Sequence, residues 1–196
     1  IDCYLIGARK LRTDRGVENH NMRSNWWINN QLKELGDLRL RSAQPRDDHF
    51  LLQLFRSSRP HLSQIPMPME FIAALVQQQY DLQRNSYSNQ FPGYLDLLVI
   101  RNQEFIGAFK LYKNDEYGWL HLLDIAILPA HQGRGYGHIL LRSLQNLAAH
   151  NDWVLRLSVD RQNWRAKQLY VALDFRLENS SATHEEMVWT STVYAG

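Results

Sequence analysis

The residues best suited to chemistry are crowded into one short run, Gln132-Gly133-Arg134-Gly135-Tyr136-Gly137. An apolar segment stopped by Pro129 precedes it, and Ile139, Leu140, Leu144, Leu147 and Ala148 follow at helical spacing. Glycines at 133, 135 and 137 can take positive φ and let bare backbone approach a ligand closely. The N–H groups of such a turn, backed by a helix N-terminus, make a site for a phosphate or pyrophosphate. Arg134 would add a charge-assisted contact there, or stand as an ordinary exposed arginine at a helix start. Two well-known phosphate loops do not fit. No Lys-Ser/Thr pair follows the glycines. A dinucleotide fingerprint counted from Gly133 or Gly135 would need Gly or Ala at His138 or Leu140.

Other chemistries find less support. His131 and His138 bracket the turn, but the eight histidines have no cysteine or carboxylate partners at ligand spacing, so no metal is expected. There is no Gly-x-Ser-x-Gly elbow, and Cys3 sits in what reads as a tail, which argues against a covalent nucleophile. Arg39, Arg41, Arg46, Arg56 and Arg59 form a locally basic stretch, read as solvated faces or as contacts for an acidic acceptor.

The turn needs a frame, and the pattern supplies one. Residues 1–36 are charged, show no sustained period and carry the pair Trp26-Trp27, so they read as an N-terminal extension ahead of a domain at 37–196. The tryptophans would dock a partner or cover a sheet edge. Residues 38–41 alternate as a strand, and Phe50, Leu51, Leu54 and Phe55 recur as a helix. A Pro- and Ser-rich loop leads to a second helix carrying Phe71, Ala74, Leu75 and Tyr80. Residues 94–100 and 105–112 form a hairpin about Asn102-Gln103-Glu104, and 119–128 is a third strand. After the glycine turn come a helix, a strand at 154–159, a helix at 166–173, and strands at 175–178 and 187–190. The order β-α-α-β-β-β-α-β-α-β-β predicts an α/β fold whose mixed, mostly antiparallel sheet is covered by helices on both faces.

A chain of 196 residues can bury a full core without staples. A formal charge of +2 is too small to point to nucleic acid or a membrane as partner. One cysteine excludes an internal disulfide framework, no apolar run is long enough to span a bilayer, and the first residues lack signal-peptide order. The expectation is a cytoplasmic protein. Exposed terminal strands leave room for a homodimer.

Gln132-x-x-Gly135-x-Gly137 resembles the Gln/Arg-x-x-Gly-x-Gly/Ala signature of the GNAT (general-control-type N-acetyltransferase) superfamily. Asn163, Ala166, Leu169-Tyr170 and Asp174-Phe175 follow in the order of that family's second motif, with Asp174 where glycine is usual. Gln77-Gln78-Gln79-Tyr80 and Gln90-Phe91-Pro92 are similar to one large bacterial-type branch, and the resemblance covers about residues 38–190.

The resemblance implies the acyl-CoA N-acyltransferase fold, with acetyl-CoA as cosubstrate and a primary amine as acceptor. Its pyrophosphate would sit on residues 132–137, and its pantetheine arm would pair with the backbone of Ile125, Ala126 and Ile127 where that strand splays from the next. Asn163 would contact the same arm, and Tyr170 would protonate the departing thiolate or be a core tyrosine. Holding a lysine amine neutral at pH 7.4 costs about 4 kcal/mol, against under about 1 kcal/mol for an α-amine. Some members use a glutamate twelve residues before the tyrosine. Here that residue is Ser158, so the base candidates are His121 and Asp124. On an unbulged strand these two face opposite sides, and His121 shares a face with Ile125. Acceptor specificity would lie at residues 56–68, 77–94 and 179–184. A GNAT-like module that binds CoA or a protein and transfers nothing is the alternative.

Overall fold

The computed structural model describes residues 32, 35–64 and 66–191; the Trp26-Trp27 pair and Cys3 lie outside the described residues. Strands are β1 (Leu38–Ser42), β2 (Leu95–Arg101), β3 (Glu104–Asn114), β4 (Trp119–Ile127), β5 (Val154–Asp160), β6 (Arg176–Ser180) and β7 (His184–Trp189). Helices are α1 (Asp48–Ser57), α2 (Met69–Gln90), α3 (Tyr136–His150) and α4 (Trp164–Ala172). Their order is the one the sequence pattern predicts.

The seven strands form one sheet in the order β1-β2-β3-β4-β5-β7-β6. Every pair is antiparallel except β4 and β5. That parallel pair is forced by the crossover through α3, which returns the chain to the same end of the sheet. Asn102 and Gln103 make the β2–β3 hairpin as a two-residue loop, both at positive φ (48° and 68°), with Arg101 opposite Glu104.

The run Leu97-Leu98-Val99 is buried throughout because both faces of the sheet are covered. On one face Leu97, Val99, Phe109, Leu111 and Leu122 meet Leu140, Leu141 and Leu144 of α3. On the other, Leu98 and Ala108 meet Leu51, Leu54 and Phe55 of α1 and Ile72, Val76 and Tyr80 of α2. Leu32 and Leu35 also pack on the first of these cores.

Two details differ from the sequence pattern. In α2 the buried row is Ile72, Val76, Tyr80, Gln83 and Tyr87, while Phe71 is 56% exposed. The docked face is set by steps of three and four along the whole helix, and the first large apolar residue falls off it. The last two strands also run over different residues than their apolar content suggests. β6 is exposed along its length, and β7 begins in His184-Glu185-Glu186, so neither shows a long apolar run.

Candidate active site

β4 and β5 pair only from Trp119 opposite Val154 to Leu122 opposite Leu157. β4 nevertheless continues beside β3 as far as Ile127, and β5 continues beside β7 as far as Asp160. Beyond Leu122 the two parallel strands part, so the β5-facing edge of Ile125, Ala126 and Ile127 has no strand against it. Backbone polar groups on such an edge need partners from elsewhere.

The parting begins at a bulge. Lys110 lies opposite Asp124 and Leu111 opposite Leu122, which leaves Leu123 as an extra residue. Bulges bend a strand and add twist. The buried Tyr87 hydroxyl donates to the Leu123 carbonyl at 3.1 Å. The extra residue also resets which side chains share a face, and this corrects the sequence expectation for His121. Because Lys110 and Tyr112 share a face, their partners Asp124 and His121 do too. Ile125, opposite Phe109, lies on the other face with Leu122.

The glycine turn closes the open end of this gap. Gly133 and Gly135 sit at φ 74° and 82°, and a Cβ on either would meet nothing within 4 Å, so both border open space. Gly135 caps α3, whose first internal bond runs from Ile139 N–H to Gly135 C=O at 3.0 Å. The amides of Tyr136, Gly137 and His138 are therefore ones that a helix start leaves without an internal acceptor. Gln132 Nε2 donates to the Ile127 carbonyl at 2.8 Å and ties the turn to the end of β4. Arg134 is exposed.

Two of the predicted turn residues do something else. Gly137 has no positive φ; its bareness serves packing, since a Cβ would stand 3.3 Å from Leu169 Cδ2 of α4. The Tyr136 ring is buried beneath the Arg101 guanidinium, 5.4 Å from its centroid, so Tyr136 brings only its backbone to the turn.

Asn163 caps α4, its Oδ1 accepting from Ala166 N–H at 3.2 Å. The cap engages only the carbonyl end of that side chain. At the other end, Phe175 N–H donates to Tyr170 C=O and Asp174 N–H to Val171 C=O, both at 3.0 Å. Asp174 takes φ 62°, the left-handed geometry for which glycine is usual. The Tyr170 and Phe175 rings pack at 5.7 Å, and Tyr170 is 1% exposed. The run from Tyr170 to Phe175 is thus a Schellman cap that anchors the tyrosine.

A strand edge lacking a neighbour, opening onto free amides at a helix start, is the shape an extended arm ending in a pyrophosphate requires. The profile described as the Acetyltransferase (GNAT) family matches residues 51–175, more than half of the chain. The chain belongs to the GNAT family. Acetyl-CoA is the cosubstrate of these acyltransferases, and the residues present here suit it.

Among solved structures, PaiA N-acetyltransferase from Thermoplasma acidophilum, in complex with coenzyme A, aligns over 79% of this chain and 99% of its own, at 19% identity and a TM-score of 0.60. An acetyltransferase from Thermus thermophilus aligns over 81% and 100%, at 22% identity and 0.58. Spermidine N-acetyltransferase from Vibrio cholerae, in complex with CoA and spermine, aligns over 82% and 99%, at 20% identity and 0.56. At these identities the likeness is one of fold. None of the curated proteins compared matches this chain in sequence.

On the face of this GNAT sheet that carries Asp124 and Ala126, a cleft opens against α1 and α2. Ser58, Arg59, Tyr80, Gln83, Lys110 and Asp124 supply its polar lining. Lys110 is buried and donates to Asp96 Oδ2 at 2.8 Å. Burial works against its charge, but the Asp96 and Asp124 carboxylates outweigh it and raise its pKa above the usual range. The Tyr80 hydroxyl donates to Asp48 Oδ1 at 2.8 Å; burial and that carboxylate push its pKa up. The sequence pattern missed Lys110, although a cation inside the apolar run Phe109-Lys110-Leu111 is the sort of irregularity that marks a site.

His121 stands further down the same face, edge-on to Phe91 and Trp119 at 5.3 and 5.9 Å. Burial, with Arg156 on the neighbouring strand, pushes its pKa down to about 4. Arg156 is itself held by both carboxylate oxygens of Glu178, at 2.7 and 3.0 Å. Among the described residues, no three His, Cys, Asp or Glu side chains are grouped to hold a metal, and no helix is long and apolar enough to cross a membrane.

Proposed function

We propose that the protein moves acetyl from acetyl-CoA to a primary amine by direct attack in a ternary complex. The observation carrying this reading is the end of the β4–β5 ladder at Leu122 and Leu157, beside the open glycine turn. Two fold neighbours are by name N-acetyltransferases, which agrees with an amine acceptor.

In this proposal the amides following Gly133 and Gly135 receive the pyrophosphate, with Arg134 at hand as a cation. The backbone of Ile125, Ala126 and Ile127 pairs with the pantetheine amides, and a strand N–H near Ile125 holds the thioester carbonyl as negative charge develops. The Asn163 amide donates to the same arm. The cosubstrate supplies an activated acyl group with a thiolate leaving group, which Tyr170 protonates.

Of the two base candidates, His121 is neutral at pH 7 but weakly basic. Moving a proton from an ammonium of pKa ~10.4 to an imidazole held at about 4 is uphill by roughly 9 kcal/mol. Asp124, on the same face beside Lys110, is placed to hold the incoming ammonium, and water carries the proton off. Amines of low pKa are the favoured acceptors.

Calorimetric titration with acetyl-CoA, beside a Gly135→Glu control of unchanged melting temperature, tests the cosubstrate site. Micromolar binding lost in the control, followed by thiol release with amines, is expected. Binding without thiol release from any amine would instead support the non-catalytic module.

A further inference from the structure

The two faces of β5 meet different surroundings. Leu155, Leu157 and Val159 are buried in the core with α3 and α4, whereas Val154, Arg156, Ser158 and Asp160 point the other way and are half-buried. The core beneath α1 and α2 holds no residue of β5, β6 or β7, so on that face these strands lie open among the described residues. Ser158 is the first β5 residue past Leu157, where the ladder with β4 ends, and Glu186 of β7 stands directly opposite it. Opposed residues share a face, with Cβ atoms about 5 Å apart. Glu186 therefore stands one strand back from the gap, on its open face, with only the short Ser158 side chain between.

Among the described residues no hydrogen bond or ion pair holds the Glu186 carboxylate. Its acidic neighbours are engaged. Glu185 pairs with Lys167 at 2.7 Å, and Glu178 takes two Arg156 nitrogens at 2.7 and 3.0 Å. The second pair matters here, because Arg156 is the cation diagonal to Glu186 and Glu178 offsets its charge. Glu186 can thus give an arriving ammonium a charge-assisted hydrogen bond without breaking an existing pair.

The ammonium best suited to Glu186 is not the attacking one. That nitrogen must become neutral, and a carboxylate beside it favours its charged form. A second amino group on the same molecule has no such duty. It keeps its charge, and as a like charge it lowers the pKa of the first, which eases the proton loss that attack requires.

Resting on the acetyl-transfer reading, we infer that the acceptor is a diamine, with Glu186 as the residue that holds its second, non-reacting ammonium. The first nitrogen forms the amide bond as the thioester C–S bond breaks, and the second leaves with its proton and charge intact.

The test measures thiol release from acetyl-CoA with two matched series, α,ω-diamines of stepwise increasing length and the monoamines of the same carbon chains. At least one diamine should exceed its monoamine in kcat/KM by roughly 10- to 100-fold, mostly through KM. Glu186→Gln should raise that diamine's KM to the level of the monoamine, with acetyl-CoA affinity kept, and Glu186→Asp should restore part of the preference. Should a variant fold poorly, the two series on the unaltered protein decide alone. Monoamines turning over as well as diamines, or a diamine preference that survives Glu186→Gln, would overturn the assignment while leaving acetyl transfer intact. A protein that binds acetyl-CoA but transfers to nothing is titrated with both series in the presence of CoA, where equal or absent binding also overturns it. Failure to bind acetyl-CoA at all is the distinct result that removes the acetyl-transfer reading, and this inference with it.

Discussion

The Tyr87 hydroxyl reaches from α2 across to the sheet and donates at 3.1 Å to the carbonyl of Leu123, the one extra residue of β4 opposite β3. One helix side chain thereby fixes the bulge from which the parting of β4 and β5 begins. Tyr87→Phe should leave a buried carbonyl short of this donor and lower stability by about 1–2 kcal/mol. It should also weaken acetyl-CoA binding, which calorimetry beside urea unfolding would register. Full affinity in a destabilised variant would detach the bulge from the site.

Gly107 lies opposite Ile127, and a Cβ there would come within 2.4 Å of the Ala126 carbonyl oxygen and 2.6 Å of Ile127 Cδ1. Backbone cannot yield as a side-chain tip does. Gly107→Ala should therefore cost about 1–3 kcal/mol in denaturant unfolding and displace the end of β4. Wild-type stability would mean that the two strands have more freedom than their register implies.

Asp174 holds φ 62° at the C-cap of α4. Asp174→Gly should keep or raise stability, by up to about 1 kcal/mol, whereas Asp174→Val should lower it by about 1–2 kcal/mol, because a β-branched residue resists positive φ. Thermal unfolding of the pair separates the two. If both behave alike, this turn does not take the left-handed form in solution.

Burial pushes the His121 pKa down to about 4, from an ordinary 6.5. In the window between these values the unfolded chain takes up a proton that the folded chain refuses. Stability is thus full above pH 6.5 and falls as the pH drops towards 4, by at most about 3 kcal/mol from this residue. His121→Gln should flatten that part of the pH–stability curve. An identical slope in both proteins would show that the folded imidazole accepts protons normally.

Tyr170→Phe keeps the ring packing on Phe175 and removes only the hydroxyl. If that hydroxyl protonates the leaving thiolate, kcat should fall about 100-fold or more with acetyl-CoA affinity unchanged. A kcat within twofold of the parent would return the residue to a purely structural role.

Much of this was legible in the sequence where one periodicity dominated. The element order followed from apolar spacing, and the turn after Pro129 from its glycines and the helix behind them. The bulge left only a faint mark. Buried and part-exposed residues alternate from Trp119 to Leu122 and again from Leu123 to Ala126, and the doubled leucine between them is the inserted residue; a strict count of two carried through it assigns His121 to the wrong side. Gly137 failed for a related reason. A glycine needed for a turn and one needed for a helix contact look alike until Leu169 is in place. Gln83 and Lys110 read as ordinary surface types, and only their burial gives them meaning.

Within the sheet, four residue pairs of the described strands join the β1–β4 panel to the β5–β7–β6 panel. A molecule lying along the unpaired edge would work as a suture between them, continuing by its own amides the seam that the backbone abandons at Leu122. Anything that binds only the folded form stabilises it by mass action. The tightness of the folded protein would then follow the supply of its acyl donor, and a chain starved of it would open first along that seam.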